Sequence, residues 1–400
     1  MVYLWSMIKR KLNLLKLLEK KQSILVLGPR GTGKTTLIRE TLQLLHQKIL
    51  HYDLLKGDVF RYFLSAPSRF RDAIESELKI NPMVFAFIDE VQKIPELLDE
   101  VHYLLEEYPG KFIFVGSGSS ARKLKASGAN LLAGRAILRK MFPLTVDETH
   151  IDLESALQFG TLPKVRTLDD EELRIDFLKS YVDVYLREEI QQEALVRKFD
   201  IFSRFLDLAG QLNAEPINFS KTAKQLKVST KTVQGYFEIL ADTLLVSVIH
   251  GWSESVKKQL QTAPRFYFFD TGVLNAINGE LDFETKPESF RYGKLFETYI
   301  INEIQRAAYY RGKDLRFHYW RTNHGKEVDL IISNSRRQPL FAIEIKSSSE
   351  IASEDLSGLH LFHEEYPNAA LLCICKTPIA TNLENVRILP WREALGHLFD

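Results

Sequence analysis

An apolar run, Ile24–Leu27, leads directly into Gly28-Pro29-Arg30-Gly31-Thr32-Gly33-Lys34-Thr35-Thr36, and a helix-forming stretch follows. Gly28, four residues, then Gly33-Lys34-Thr35 is the spacing of a phosphate-binding loop, and that motif demands a strand before it and a helix after it. Glycines let backbone N–H groups turn inward on phosphate oxygens, Lys34 neutralises the β and γ oxygens, and the Thr35 hydroxyl suits Mg²⁺. The helix beginning near Gly33 adds its dipole to the same anion. Residues 28–36 are therefore candidates for holding ATP and Mg²⁺; a chance glycine-rich turn is the alternative.

A P-loop needs a parallel sheet, and the next hundred residues supply one. Ile49–Leu54, Val84–Asp89, Phe112–Gly116 and Ile137–Phe142 read as further strands alternating with helical stretches. The third ends in Asp89-Glu90, at the carboxyl edge where ligands bind in such sheets. Asp89 is placed to hold Mg²⁺, directly or through water, and Glu90 to polarise the attacking water. The run Val115-Gly116-Ser117-Gly118-Ser119-Ser120 offers small polar residues, Ser117 among them, to the γ-phosphate or lytic water, or is a plain loop. Arg135 either reaches a neighbouring subunit's nucleotide in a ring, stabilising transition-state charge, or is a surface arginine.

Together the P-loop, Asp89-Glu90-Val91-Gln92-Lys93, Gly116-Ser117-Gly118-Ser119, Ala133-Gly134-Arg135 and Phe142-Pro143-Leu144 resemble the prokaryotic AAA-type ATPases that carry a C-terminal domain of unknown function. The resemblance continues through Phe159-Gly160-Thr161-Leu162-Pro163, Tyr185-Leu186-Arg187-Glu188-Glu189-Ile190 and Phe266-Tyr267-Phe268-Phe269-Asp270-Thr271-Gly272. It implies ATP binding and hydrolysis. It also implies a second-sensor arginine, for which Arg187 is the candidate.

The 400 residues predict several domains, and 45% hydrophobic with 26% charged side chains is ordinary for a globular chain. A net charge of +1 argues against a uniformly basic nucleic-acid coat while leaving room for a local patch. Cys373 and Cys375 lie in an apolar run that reads as a buried strand, which fits a reducing cytoplasm. Trp5, Ile8, Leu12, Leu15 and Leu18 recur at helical spacing, predicting an amphipathic N-terminal helix packed on the ATPase core or lying on a membrane surface. No apolar run has the length of a membrane span, and no membrane partner is expected.

Four segments are expected: an ATPase core over 1–146, a helical lid over 147–212, a winged-helix domain over 213–270 and a C-terminal α/β domain over 271–400. The third rests on two short helices about Phe219–Phe237, with Ser229 or Thr230 as cap and Leu244–Ile249 as a wing. A helix-turn-helix places its second helix in a DNA major groove, with Lys227, Lys231 and Gln234 as contacts; such modules also serve as lids or packing units. The fourth carries Glu297 on an amphipathic helix, then Asp329 on one strand and Glu344-Ile345-Lys346 on the next. Glu344 and Lys346 are two apart and share a strand face.

That order resembles the PD-(D/E)xK nuclease fold, also called restriction-endonuclease-like. The resemblance implies that Asp329 and Glu344 bind Mg²⁺, that Lys346 orients or activates water, and that Glu297 assists the metal. Hard oxygen ligands and a metal-generated hydroxide suit phosphodiester hydrolysis. The ligands implied for the whole chain are ATP, Mg²⁺ and DNA, with a homo-oligomer as a further expectation.

Overall fold

The computed structural model of the chain describes residues 8–120, 132, 134–186, 199–255, 257, 259 and 262–399. The chain divides into two compact units: 1–143 with 190–195 and 238–245, and 144–189 with 196–237 and 246–400.

In the first unit, β1 (Ser23–Leu27), β2 (Lys48–Asp53), β3 (Val84–Asp89), β4 (Phe112–Gly118) and β5 (Ala136–Lys140) form one sheet in the order β2-β3-β4-β1-β5. Every pairing is parallel. Its helices are α1 (Leu15–Glu19), α2 (Lys34–Gln43), α3 (Gly57–Ser65), α4 (Ser68–Leu78) and α5 (Leu97–Glu107). All six residues of β3 are buried, as a strand covered on both faces requires. Ala86 and Ile88 pack with Phe70, Ile74, Leu97, Val101 and Leu104 in one core. Truncating a ring such as Phe70 to alanine there costs about 3–5 kcal/mol.

The order places β1 between β4 and β5, with β3 beyond β4. The P-loop after β1, Asp89-Glu90 after β3 and Ser117 near the end of β4 therefore gather at one carboxyl edge. The amphipathic helix expected from Trp5 through Leu18 is corrected over its described part, where only Leu15–Glu19 is helical; Trp5 lies outside the described residues. Residues 8–14 leave the helix because Arg10 reaches backbone carbonyls elsewhere, donating to Thr32 at 2.6 Å and Phe142 at 2.7 Å. Among the described residues, no helix is long and apolar enough to cross a membrane.

The second unit opens with α6 (Leu153–Phe159), α7 (Pro163–Arg166) and α8 (Glu171–Ser180), the last continuing as a π-helical turn over Tyr181–Leu186. Then come α9 (Phe199–Gln211), α10 (Phe219–Leu226) and α11 (Thr230–Asp242), whose last residues belong to the first unit. Ser229 caps α11, its Oγ accepting from Thr232 N at 3.1 Å. Strands β6 (Val246–Gly251) and β7 (Arg265–Phe268) pair antiparallel as a hairpin. After α12 (Thr271–Ile277) and the long α13 (Phe290–Tyr310) come β8 (Leu315–Arg321), β9 (Glu327–Asn334), β10 (Pro339–Ile345), α14 (Ser357–Glu365), β11 (Ala370–Cys375), β12 (Thr381–Leu383), β13 (Val386–Pro390) and α15 (Ala394–Phe399).

These strands build an eight-stranded mixed sheet, β12-β13-β11-β10-β9-β8-β6-β7. The strand expected as a wing over Leu244–Ile249 is β6, which with β7 forms the edge of the C-terminal sheet, joined to it by His250↔His318 and Gly251↔Tyr319. The helices of 153–186 and the C-terminal elements share one unit, and buried polar bonds fix them there. Asp270 accepts from Thr161 N at 2.7 Å, and Asn275 Nδ2 donates to the carbonyls of Leu157 and Gln158. A Cβ on Gly160 would stand 1.9 Å from Asp270 Oδ1, so only glycine admits this contact. Asp270 also caps α12 through Val273 N.

Candidate functional site

The P-loop is shaped by two backbone demands. Gly33 sits at φ +91° directly before α2, a left-handed conformation that glycine adopts without steric cost. A Cβ on Gly28 would lie 2.1 Å from the Met141 carbonyl oxygen, so the loop passes too close to the end of β5 for any side chain. Pro29, Arg30, Gly31 and Thr32 complete the turn, with Thr32 Oγ1 donating to the Pro29 carbonyl at 2.9 Å. Lys34 is buried and donates to the carbonyls of Gly28 at 2.8 Å and Pro29 at 3.1 Å, so its ammonium lies inside the curl of the loop. Thr36 follows in the first turn of α2 and is exposed.

Asp89, 3% exposed, ends β3 opposite this loop. Thr35 Oγ1 donates to its Oδ1 at 3.0 Å, and Ser117 Oγ donates to the same oxygen. A hydroxyl at the head of α2 and a carboxylate from a distant strand therefore share one point. These are hard oxygen donors of the kind Mg²⁺ takes.

Glu90, 8% exposed, adopts φ +59°, unusual for a residue with a side chain and costing on the order of 1 kcal/mol. Neighbouring bonds hold it there. Its N–H donates to Ser117 Oγ at 3.2 Å, while its carboxylate accepts from Gln92 Nε2 and from Ser119 Oγ at 3.4 Å. Gln92 also donates to Ser119 Oγ at 2.9 Å, and its own Oε1 is buried without a partner. The sequence marks Glu90, Ser117 and Ser119 but gives no role to Gln92 or Arg10. Ser119 and Gln92 stood in quoted motifs, whereas nothing local marked Arg10.

The residues fit a Mg²⁺–nucleotide: Lys34 and the loop would hold phosphate, and Thr35 and Asp89 the cation. Arg135 lies elsewhere. It precedes β5, whose start pairs with Ser23 at the start of β1, so it occupies the edge opposite its own P-loop. There it is ion-paired with Glu106. Arg187 lies outside the described residues.

In the second unit, β9 and β10 pair antiparallel through Ile343↔Leu330, and continuing this register sets Glu344 across from Asp329. Asp329 Oδ2 accepts from Ile345 N at 2.9 Å. Glu344 is 7% exposed, its Oε1 is 2.9 Å from Lys346 Nζ, and its Oε2 is buried without a partner. Burial, then the Asp329 charge, push the Glu344 carboxyl well above the usual range. Desolvation acts against the Lys346 charge, but Glu344 outweighs it and raises its pKa. Glu297 on α13 is also raised, by burial and then by Asp329.

The four expected residues therefore converge, with one correction to the implied ligand set. Tyr267 Oη donates to Glu297 Oε1 at 2.8 Å and Lys294 Nζ to Oε2 at 3.3 Å, while Arg265 stands 3.6 Å from Oε1. Both oxygens are thus occupied by protein donors. Among the described residues, no three His, Cys, Asp or Glu side chains are grouped closely enough to hold a metal ion. Asp329 and Glu344 fit a divalent cation as a pair, since the orphaned Glu344 Oε2 is a buried acceptor that a cation would satisfy; Glu297 does not fit as a third ligand. Cys373 and Cys375 are free, buried thiols on β11, as the sequence predicts.

Comparison with known proteins divides the chain into three matched regions. An AAA domain model matches residues 20–150, and two domains of unknown function, DUF8612 and DUF4143, match 150–285 and 292–394. An uncharacterized protein of Mycobacterium tuberculosis is 26% identical over 360 residues, covering 87% of this chain and 76% of that one. One from Methanocaldococcus jannaschii is 22% identical over 349 residues, covering 81% and 75%. Among solved structures, the Aeropyrum pernix ORC1 protein in complex with DNA aligns at 13% identity and TM-score 0.31, covering 67% of this chain and 90% of that one. The replication initiator DnaA bound to AMPPCP and single-stranded DNA aligns at 16% and 0.31, covering 59% and 90%. The chain thus carries an AAA domain over residues 20–150 and a C-terminal DUF4143 domain over residues 292–394.

Proposed function

We propose that this chain is a cytoplasmic Mg²⁺-dependent ATPase whose nucleotide cycle controls a C-terminal, nuclease-like domain acting on DNA. The observation that carries the ATPase reading is the meeting of Thr35 Oγ1 and Asp89 Oδ1 at 3.0 Å, across 54 residues of sequence, beside Glu90. Bound Mg²⁺ would screen the phosphate charge and hold the γ-phosphate for in-line attack. Lys34 exchanges its loop carbonyls for phosphate oxygens, Thr35 and Asp89 orient the cation, and Ser117 fixes Asp89. Glu90, oriented by Gln92 and Ser119, takes the proton from the attacking water.

Arg135, on the edge away from its own P-loop, serves a neighbouring copy's nucleotide if the chain forms a ring. Mixing Arg135→Ala and Glu90→Gln chains tests this: restored hydrolysis supports action in trans, and none excludes it.

DNA contact is assigned to the helix-turn-helix, where Lys227, Lys231 and Gln234 are exposed around the turn and the first turns of α11. These few cations predict a shallow salt dependence. Asp329, Glu344 and Lys346 would carry metal-dependent phosphodiester cleavage. The 2.9 Å Glu344–Lys346 ion pair favours a second reading, a slow nucleotide switch whose nuclease-like domain only binds a partner. Incubation with single- and double-stranded DNA, Mn²⁺ and ATP separates the two. Cleavage lost in Asp329→Asn supports the nuclease, and DNA binding without cleavage supports the switch.

A further inference from the structure

Strand β7 lies outside the Glu-x-Lys run, yet it reaches the acidic site with one of its faces. Alternation along a strand sends Arg265 and Tyr267 to one side and Phe266 to the other. Phe266 stacks on Phe237 of α11 with ring centroids 4.3 Å apart, and Phe219 of α10 lies 6.5 Å from it. That aromatic contact fixes the strand. Arg265, 2% exposed, is then held in place among Glu297 at 3.6 Å, Glu327 in an ion pair, and the Tyr319 ring at 4.4 Å. Tyr267 places its hydroxyl 2.8 Å from Glu297 Oε1.

We propose that Arg265 and Tyr267 are positioning residues of the acidic site, holding Glu297 as a fixed charge beside Asp329 and Glu344 but outside the inner ligand sphere of a divalent cation. The inference rests on reading Asp329 and Glu344 as the cation ligands. Turning Glu297 onto a cation would strip a buried tyrosine hydroxyl of its acceptor and a buried guanidinium of one of its counter-charges, and both losses are expensive in a dry interior. Glu344 Oε2 has no such tie and is the cheaper ligand. A fixed carboxylate nearby still draws a cation through space. Glu297 therefore adds affinity without adding a bond.

The test is Mn²⁺ binding to the full chain without nucleotide, followed by electron paramagnetic resonance for affinity and by its pulsed form for the number of coordinated waters. The wild-type chain is expected to bind one Mn²⁺ that Asp329→Asn abolishes. Glu297→Gln should weaken it roughly tenfold with the water count unchanged, as loss of a through-space charge predicts. Tyr267→Phe, which keeps the ring and removes the hydrogen bond to Glu297 Oε1, should lower the water count by one, and the Tyr267→Phe/Glu297→Gln double variant should restore it. Two results would overturn the positioning role: an extra coordinated water in Glu297→Gln alone, which makes Glu297 a ligand, or an unchanged signal in Tyr267→Phe. If no Mn²⁺ in the wild-type chain depends on Asp329, the cation-site reading itself fails, and the positioning role with it.

Discussion

The P-loop site and the C-terminal acidic site contain the same chemical ingredients, carboxylates with a lysine, but arrange them oppositely. At the first, Asp89 and Glu90 accept from the hydroxyls of Thr35, Ser117 and Ser119 and the amide of Gln92, while Lys34 donates to backbone carbonyls. At the second, Lys346 pairs with Glu344, and Lys294 and Arg265 with Glu297. A ligand at the first site displaces neutral backbone carbonyls from Lys34, whereas one at the second displaces charged side-chain partners.

Breaking the first site should therefore have the largest effect and leave the second intact. Lys34→Ala is expected to weaken binding of a fluorescent ATP analogue by roughly 100-fold or more, about 3 kcal/mol, with Mn²⁺ binding at Asp329–Glu344 unchanged. Parallel loss at both sites would refute their independence.

Next in size is a pH effect confined to the second unit. Burial holds the Glu303 carboxyl at about 7, above its usual value, despite Arg306 at 3.3 Å. A raised carboxyl favours the folded state while protonated, so this contribution is complete below about pH 4.5 and is lost as pH rises through 7. It amounts to about 3 kcal/mol by linkage. Urea denaturation across that window should show the decline in the wild-type chain and a shallower one in Glu303→Gln; identical slopes would contradict it.

A smaller stability effect probes the strain of the acidic site. Because Glu344 is buried against Asp329, Glu344→Gln should stabilise the second unit by about 1 kcal/mol at pH 8 while removing Mn²⁺ binding. A destabilised variant would mean that Lys346 compensates the charge fully. The smallest effect belongs to Arg135→Ala, whose partner Glu106 is on the surface. At concentrations where the chain is monomeric, neither melting temperature nor ATP turnover should move.

The same contrast explains what the sequence made legible. The P-loop is a contiguous run, and Asp89-Glu90 ends an apolar strand, so spacing and hydrophobicity located both and the five strands around them. Glu344 and Lys346 were equally visible because they share a strand. Gln92 and Ser119 lay in recognisable motifs, but their hold on Glu90 depends on the left-handed turn there, which no pattern announces. Arg10, Arg265 and Tyr267 act at separations of 22 residues or more, where only the folded chain brings donor and acceptor together. The expected N-terminal helix is shorter than its apolar spacing suggests because Leu12 is buried from a non-helical segment. That the strand expected as a wing also extends the C-terminal sheet is not legible, because β6 and β7 carry ordinary strand residues and the sheet they join is decided by a two-residue contact with β8.

The central claim, that the P-loop edge hydrolyses ATP with Glu90 as base, is tested most directly by measuring nucleotide affinity and steady-state phosphate release together in Glu90→Gln. Near-wild-type binding of Mg²⁺–ATP is expected, with turnover reduced roughly 100- to 1000-fold, the scale of a lost general base. Turnover within a few fold of the wild-type chain, with binding intact, would contradict it.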